Sequence, residues 1–339
     1  MNRQPQRFDV LPRVSLEVSG DDAVLRHYAA EYGTPAASSD GDGTPAVRVR
    51  IGRGDDRPRI GDGAGVLEGR HKTVAWHAVV SDPEAHPISA TISLRGAPRW
   101  FSLSLTQGYL VEPLISVAAT DAGGVLLPAA AIVTGAGGVV LLGRSRSGKS
   151  SISARAAAAG FGVLGDDQVL VERNGQLTRF PRRLRIYDDL GATAPQAYRR
   201  LPARARRALQ VRALARLATA GYVRPSLAIA ASDLGAATVD TAPMARFLVL
   251  ERTSAVTDIE VQQTGAEAAT AVAEAVLGDQ RRHLRMLGEA WRQRLRTLAG
   301  SETDVLASAL KSLAPESILI PDHWPAGVAV DALWDRIMR

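Results

Sequence analysis

Short, partly alternating runs of apolar and polar residues fill the first third of the chain, and longer apolar runs mark its middle. Residues 14–18 predict a strand, Asp21 a helix cap, and the following segment a helix ending near Gly33. A loop rich in Ser, Asp, Gly and Pro extends to residue 45. Segments 48–51, 73–80, 90–94 and 100–105 alternate, with Gly and Pro between them, which predicts antiparallel strands. Residues 61–65 read as turn material. From 108 to 119 the apolar spacing lengthens to that of a helix, and Asp121-Ala122-Gly123-Gly124 ends it.

The centre is more sharply patterned. Residues 129–134 predict a strand, 135–138 a tight turn, and 139–142 a fully buried strand running into a glycine-rich segment. A helix of good formers at 150–159 is stopped by Gly160. Strands are predicted at 163–164 and 169–172, on either side of Asp166 and Asp167, and Asn174-Gly175 signals a hairpin. Beyond Pro181 an arginine-rich amphipathic helix is expected at 203–220, a strand at 247–251, helices at 266–276 and 280–298, and a last strand at 318–320. The break near residue 122 divides the reading into an α+β region over 1–122 and a larger domain over 123–339 with a helical C-terminal portion.

Composition changes this picture in two ways. The chain of 339 residues has no cysteine, which excludes disulfides, thiolate metal sites and a cysteine nucleophile. No apolar run approaches the length of a membrane span, so a cytoplasmic protein without a membrane partner is expected. Of the 41 basic residues only Lys72, Lys149 and Lys311 are lysines. This looks like a chain-wide use of arginine for lysine, so the net charge of +6 reads as dispersed surface charge, and a nucleic-acid partner is not expected.

That scarcity gives weight to Gly143-Arg144-Ser145-Arg146-Ser147-Gly148-Lys149-Ser150. A G-x-x-x-x-G-K-[ST] match has a chance expectation of about 0.003 in a chain of this length and composition. A strand leading in and a helix leading out supply the context that binds polyphosphate. The first glycine permits a sharp exit from the strand, and the second lets backbone approach the phosphates. The new helix then aims free N–H groups at them, Ser151 included. Lys149 supplies a compact positive charge, and the hydroxyl of Ser150 suits Mg²⁺. Arg144 and Arg146 are candidates to reach phosphate, although in so arginine-rich a chain they read as solvated. Asp166 and Asp167 follow after one helix and a return strand, which brings a carboxylate pair back toward the loop. Phosphoryl transfer needs such a pair, one carboxylate for the metal and one for the attacking hydroxyl's proton. A second pair, Asp188 and Asp189, lacks that context and reads as surface.

At these residues the chain resembles the HPr kinase/phosphorylase family, in particular shorter bacterial relatives that share only its kinase domain. The likeness is carried by the loop, the helix behind it and Gly160-Phe161-Gly162-Val163-Leu164-Gly165-Asp166-Asp167. Phe180-Pro181-Arg182-Arg183-Leu184-Arg185-Ile186 adds to it, and about one fifth of the chain is matched well. The resemblance implies an α/β fold with a P-loop-containing mixed sheet similar to the HPr kinase C-terminal domain and phosphoenolpyruvate carboxykinase. It implies ATP and Mg²⁺ as cofactors and transfer of the γ-phosphoryl group to a hydroxyl, usually serine, of a peptide, protein or small molecule. Asp166 would be the proton acceptor, with Lys149 on the phosphates and Asp167 with Ser150 on the metal. Family members carry a histidine on the strand before the loop, where Pro128 or Ala129 stands here, and a distant histidine such as His77 is the candidate substitute. The other readings are a nucleotide-dependent regulatory or binding module and a scaffold without catalysis. The arginines at 199–216 suit either a solvated helix face or a dock for an acidic substrate, and a homo-oligomer is left open.

Overall fold

The computed structural model describes residues 4–36, 44–54, 60–61, 63–220 and 225–338. The expected loop before residue 45 and the turn at 61–65 lie in part outside the described residues. The chain divides into two compact units, 1–126 with 277–305, and 127–276 with 306–339. The first elements are β1 (Gln6–Leu11), β2 (Val14–Gly20), α1 (Asp22–Tyr32), β3 (Val47–Arg53), β4 (Gly65–His71), β5 (Val74–Val80), β6 (Ile88–Arg95), α2 (Arg99–Thr106) and α3 (Glu112–Asp121). There follow β7 (Gly124–Leu127), β8 (Ala129–Thr134), β9 (Gly137–Gly143), α4 (Lys149–Ala159), β10 (Gly162–Gly165), β11 (Val169–Glu172), β12 (Gln176–Arg179) and β13 (Leu184–Ile186). Next come α5 (Leu190–Thr193), α6 (Pro195–Arg200), α7 (Ala203–Ala218), β14 (Leu227–Ile229), β15 (Thr241–Thr253) and β16 (Glu260–Gln263). The last are α8 (Ala266–Gln280), α9 (Glu289–Leu310), β17 (Glu316–Pro321) and α10 (Ala326–Met338).

The first unit holds a six-stranded mixed sheet in the order β1-β2-β3-β6-β5-β4. The expectation of antiparallel strands fails at its centre, where β2 pairs parallel with β3 and β3 with β6. The helical crossover α1 returns the chain in the same direction, which a hairpin turn does not do. Residues 100–105, expected as a strand, lie in α2. Their short alternation fits either element, and Thr106 Oγ1 donates to the Ser102 carbonyl at 2.8 Å, a helical i−4 contact that satisfies a buried hydroxyl. A turn of π-helix at Gln107–Val111 joins α2 to α3. The helix expected at 280–298 instead breaks at 281–288, where Gly288 has φ of +130°, and resumes as α9. Arg281 and Glu302, each only 4% exposed, form an ion pair at 2.5 Å inside this unit, and Thr120 donates to Glu302 at 2.6 Å.

The second unit is built on a nine-stranded mixed sheet. Its strands lying wholly within the unit run β10-β8-β9-β15-β12-β11, with β17 beside β15 and β16 beside β17. β9 is flanked on both sides, so its Val139-Val140-Leu141-Leu142 run is apolar throughout rather than alternating. β15 is parallel to both β9 and β17, and β10 runs parallel to β9 through the antiparallel β8 between them. α4 lies on the sheet through Ile152, Ala154, Ala156, Ala157 and Ala158, all buried. Four alanines on that helix permit close approach to the strands.

Candidate active site

The site stands where parallel strands end. Gly143, the last residue of β9, pairs with Leu250, and a Cβ at Gly143 would lie 2.6 Å from the Leu250 carbonyl oxygen. Only glycine leaves the strand at this point without displacing its neighbour. Arg144, Ser145 and Arg146 form an exposed crest, with Arg146 at φ +71°, while Ser147 is buried beneath them. Gly148 sits in the left-handed region at φ +102°, and α4 starts at Lys149. Ile152 N donates to the Gly148 carbonyl at 3.0 Å, the first bond of that helix. The N–H groups of Lys149, Ser150 and Ser151 therefore precede the ladder and point out of its first turn.

The Lys149 ammonium is folded onto its own loop. Its Nζ donates to the carbonyls of Gly143 at 2.5 Å and Arg144 at 2.9 Å, and to Ser147 Oγ at 3.4 Å. Burial lowers its pKa, and Asp167 and then Asp166 oppose that shift by attraction. Both aspartates thus act electrostatically on the lysine. The strand register explains how. Gly165 pairs with Ala131, which pairs with Val140 in the middle of β9, so Asp166 and Asp167 follow from that level in the direction in which β9 runs to its end at Gly143.

Asp166 is only 3% exposed. Its Oδ2 accepts from the Arg185 backbone N–H at 3.0 Å, and its Oδ1 has no partner in bonding geometry. Burial, and then the neighbouring Asp167, push its pKa up to about 7 against the Arg185 N–H and the nearby hydroxyls of Ser150 and Ser153, which pull it down. Those two hydroxyls approach the carboxylate closely enough to bias its charge without forming a well-aligned bond. Asp167, half-buried, faces the Arg182 guanidinium at 3.4 Å. No protein-family model matches this chain, and no curated protein matches it.

Three residues of the site were not singled out from the sequence. Ser153 is fully buried on α4 one turn beyond Ser150, and its signal was the i+3 spacing of a hydroxyl on the same helix. Arg182 and Arg185 lie in the 180–186 phrase, noted only for its resemblance; the structure uses the first for Asp167 and the backbone of the second for Asp166. Of the six histidines only His323 belongs to the second unit, just beyond β17, where it is exposed and 3.9 Å from Asp322. His77 belongs to the first unit and contacts Glu68 at 3.0 Å.

The donor set suits a hard cation shared with a ligand. Ser150 and the two carboxylates offer oxygen only, and an unmatched buried carboxylate oxygen stands among them. Among the described residues no group of three or more His, Asp and Glu is placed to hold a metal by itself. Mg²⁺ typically keeps one or two carboxylates and takes its remaining ligands from phosphate and water, so these residues fit that ion arriving with a nucleotide. No helix among the described residues is long and apolar enough to cross a membrane.

Proposed function

We propose that this chain is an ATP-dependent phosphotransferase of HPr kinase-like type, moving the γ-phosphoryl group to a hydroxyl of a peptide, protein or small molecule. The observation that carries the reading is the convergence of Lys149, Asp166 and Asp167 at the glycine loop, with Asp166 buried and its pKa raised to about 7. The loop and the first turn of α4 would hold the phosphates, and Lys149 would exchange its loop carbonyls for phosphate oxygens. Bound Mg²⁺ supplies charge neutralisation of the phosphate oxygens, with Ser150 and Asp167 to hold it. Asp166 accepts the proton of the attacking hydroxyl as the new O–P bond forms and the bond to the β-phosphate oxygen breaks, releasing ADP. A general base is most effective with a pKa near the working pH, and burial tunes this carboxylate toward it.

The test follows γ-labelled ATP in the presence of Mg²⁺ and candidate acceptors. Label moving to an acceptor hydroxyl supports the kinase. Label moving only to water would point to a nucleotide-dependent regulatory module instead.

A further inference from the structure

The inner side of α7 is accounted for by packing. Leu209 is buried in the unit's core with Ile229, Arg212 donates to the carbonyls of Ala208 and Ser226 at 3.0 and 3.1 Å, and Arg216 pairs with Asp188 at 2.9 Å. Its outer side is different. Val211, Leu214 and Leu217 are 64%, 65% and 76% exposed. Arg204, Arg207, Val211, Leu214 and Ala218 recur at spacings of three and four, and all five are exposed. That spacing is the seam one helix presents to another. Here it is basic at its N-terminal end and apolar at its C-terminal end. A solvated face has no need of large aliphatic side chains at Val211 and Leu214 of this stripe, with a third, Leu217, beside it.

We propose that α7 is the docking helix for an acidic, amphipathic helical segment of the hydroxyl-bearing acceptor. The partner's apolar residues would sit on Val211, Leu214 and Leu217, and its carboxylates on Arg204 and Arg207. Calling the partner an acceptor rests on the kinase reading; the docking surface does not. Charge selects the occupant. α7 contains no acidic residue, so a second copy would set arginine against arginine or against aliphatic side chains. A membrane-surface helix separates its apolar face from its basic one and favours aromatic residues, whereas two of five seam positions here are arginines and no aromatic is present. The surface is tied to the catalytic candidates by the chain. α7 lies between β13 and β14, which pair with each other, and Arg185 of β13 is the residue whose backbone holds Asp166.

The experiment measures anisotropy of a labelled peptide of about 16 residues, the length of α7, against the full chain. The peptide carries Leu at spacings of three and four and Glu at one end, and a control carries Lys for Glu. Wild-type protein is expected to bind the Glu peptide, more weakly as salt rises. The double variant R204E/R207E should bind it about tenfold or more weakly and gain affinity for the Lys peptide, a swap that a merely structural role would not produce. Leu214→Asp should weaken binding of the Glu peptide while melting like wild type, since the side chain faces water. The proposal is overturned if the Glu peptide does not bind, or if its affinity ignores these substitutions. It is equally overturned if the same residues instead capture phosphatidylglycerol vesicles, or form a dimer that Leu214→Asp disperses. No nucleotide is needed, so a negative result leaves the Mg·ATP response of the site intact. Peptide binding without any Mg·ATP response would keep the dock and remove the kinase.

Discussion

Asp166 is held where water does not reach, with one oxygen on a backbone N–H and the other without a partner, so its charge state is coupled to the fold. Asp166→Asn is expected to keep nucleotide binding while phosphoryl transfer falls by ~10²–10⁴, the usual worth of general-base assistance. The wild-type transfer rate should rise as the carboxylate ionises through about pH 7 and level off above. Stability has the opposite sign. The folded-state pKa of about 7 exceeds the ordinary 3.8, so the folded state holds the extra proton between those values, and stability is lost as pH rises through about 7. Asp166→Asn should therefore melt higher than wild type at pH 8, with the gap closing toward pH 5; equal melting points at both pH values would argue against a buried, raised carboxyl. For Lys149→Ala the expected loss is in binding. Saturating wild type at 100 times Kd adds about 2.7 kcal/mol, which in a protein of this size is roughly 4 °C in melting temperature. The variant should lose most of that shift. Asp167→Asn should show a raised Mg²⁺ requirement in the same assay.

At the scale of elements, the turn between β10 and β11 sets where both carboxylates stand. A Cβ at Gly165 would meet the Gln168 carbonyl oxygen at 1.8 Å, and backbone cannot yield as a flexible side chain does. Gly165→Ala is expected to destabilise by at least about 2 kcal/mol through overpacking. It should also diminish the Mg·ATP shift, because Asp166 and Asp167 follow directly. Normal melting and a normal nucleotide response in this variant would mean that the turn relaxes without moving the pair. The stretch 184–229 does two things by pairing its ends: it places the Arg185 N–H on Asp166 and presents α7 outward. Sequence periodicity identified α7 as amphipathic, yet its outward stripe contains the larger aliphatic residues, and only the burial of Leu209 shows which side faces in.

Over the whole molecule, the two units give separable responses. Arg281 and Glu302 form a buried pair within the returning segment 277–305, and their bonds to Ser116 and Thr120 tie that segment to the rest of the first unit. Removing one partner of such a pair leaves an uncompensated charge and costs about 3–5 kcal/mol. Arg281→Ala should thus lower the melting temperature markedly while the Mg·ATP shift, which belongs to the second unit's site, persists in folded protein. A melting temperature within a degree or so of wild type would show that this pair contributes little net stability.

Local chemistry was enough to locate the glycine loop, because its residues are contiguous and lysine is nearly unused elsewhere. The same holds for the β9–loop–α4 order, the helix stop at Gly160 and the strands around Asp166, all set by short-range pattern. The parallel centre of the six-stranded sheet, the helical state of 99–106 and the break at 281–288 needed the folded chain, since short alternation fits two elements and pairing partners lie far apart in sequence. The return of 277–305 to the first unit likewise depends on the contacts of Arg281, Trp291 and Arg294, not on any change of composition. The site divides along the same line. Lys149, Ser150, Asp166 and Asp167 are legible as residues. The burial that raises Asp166, the Arg182 partner of Asp167 and the backbone N–H of Arg185 arise only when β10 lines up with β9 and β13 folds against them, because desolvation and register are properties of the packed sheet.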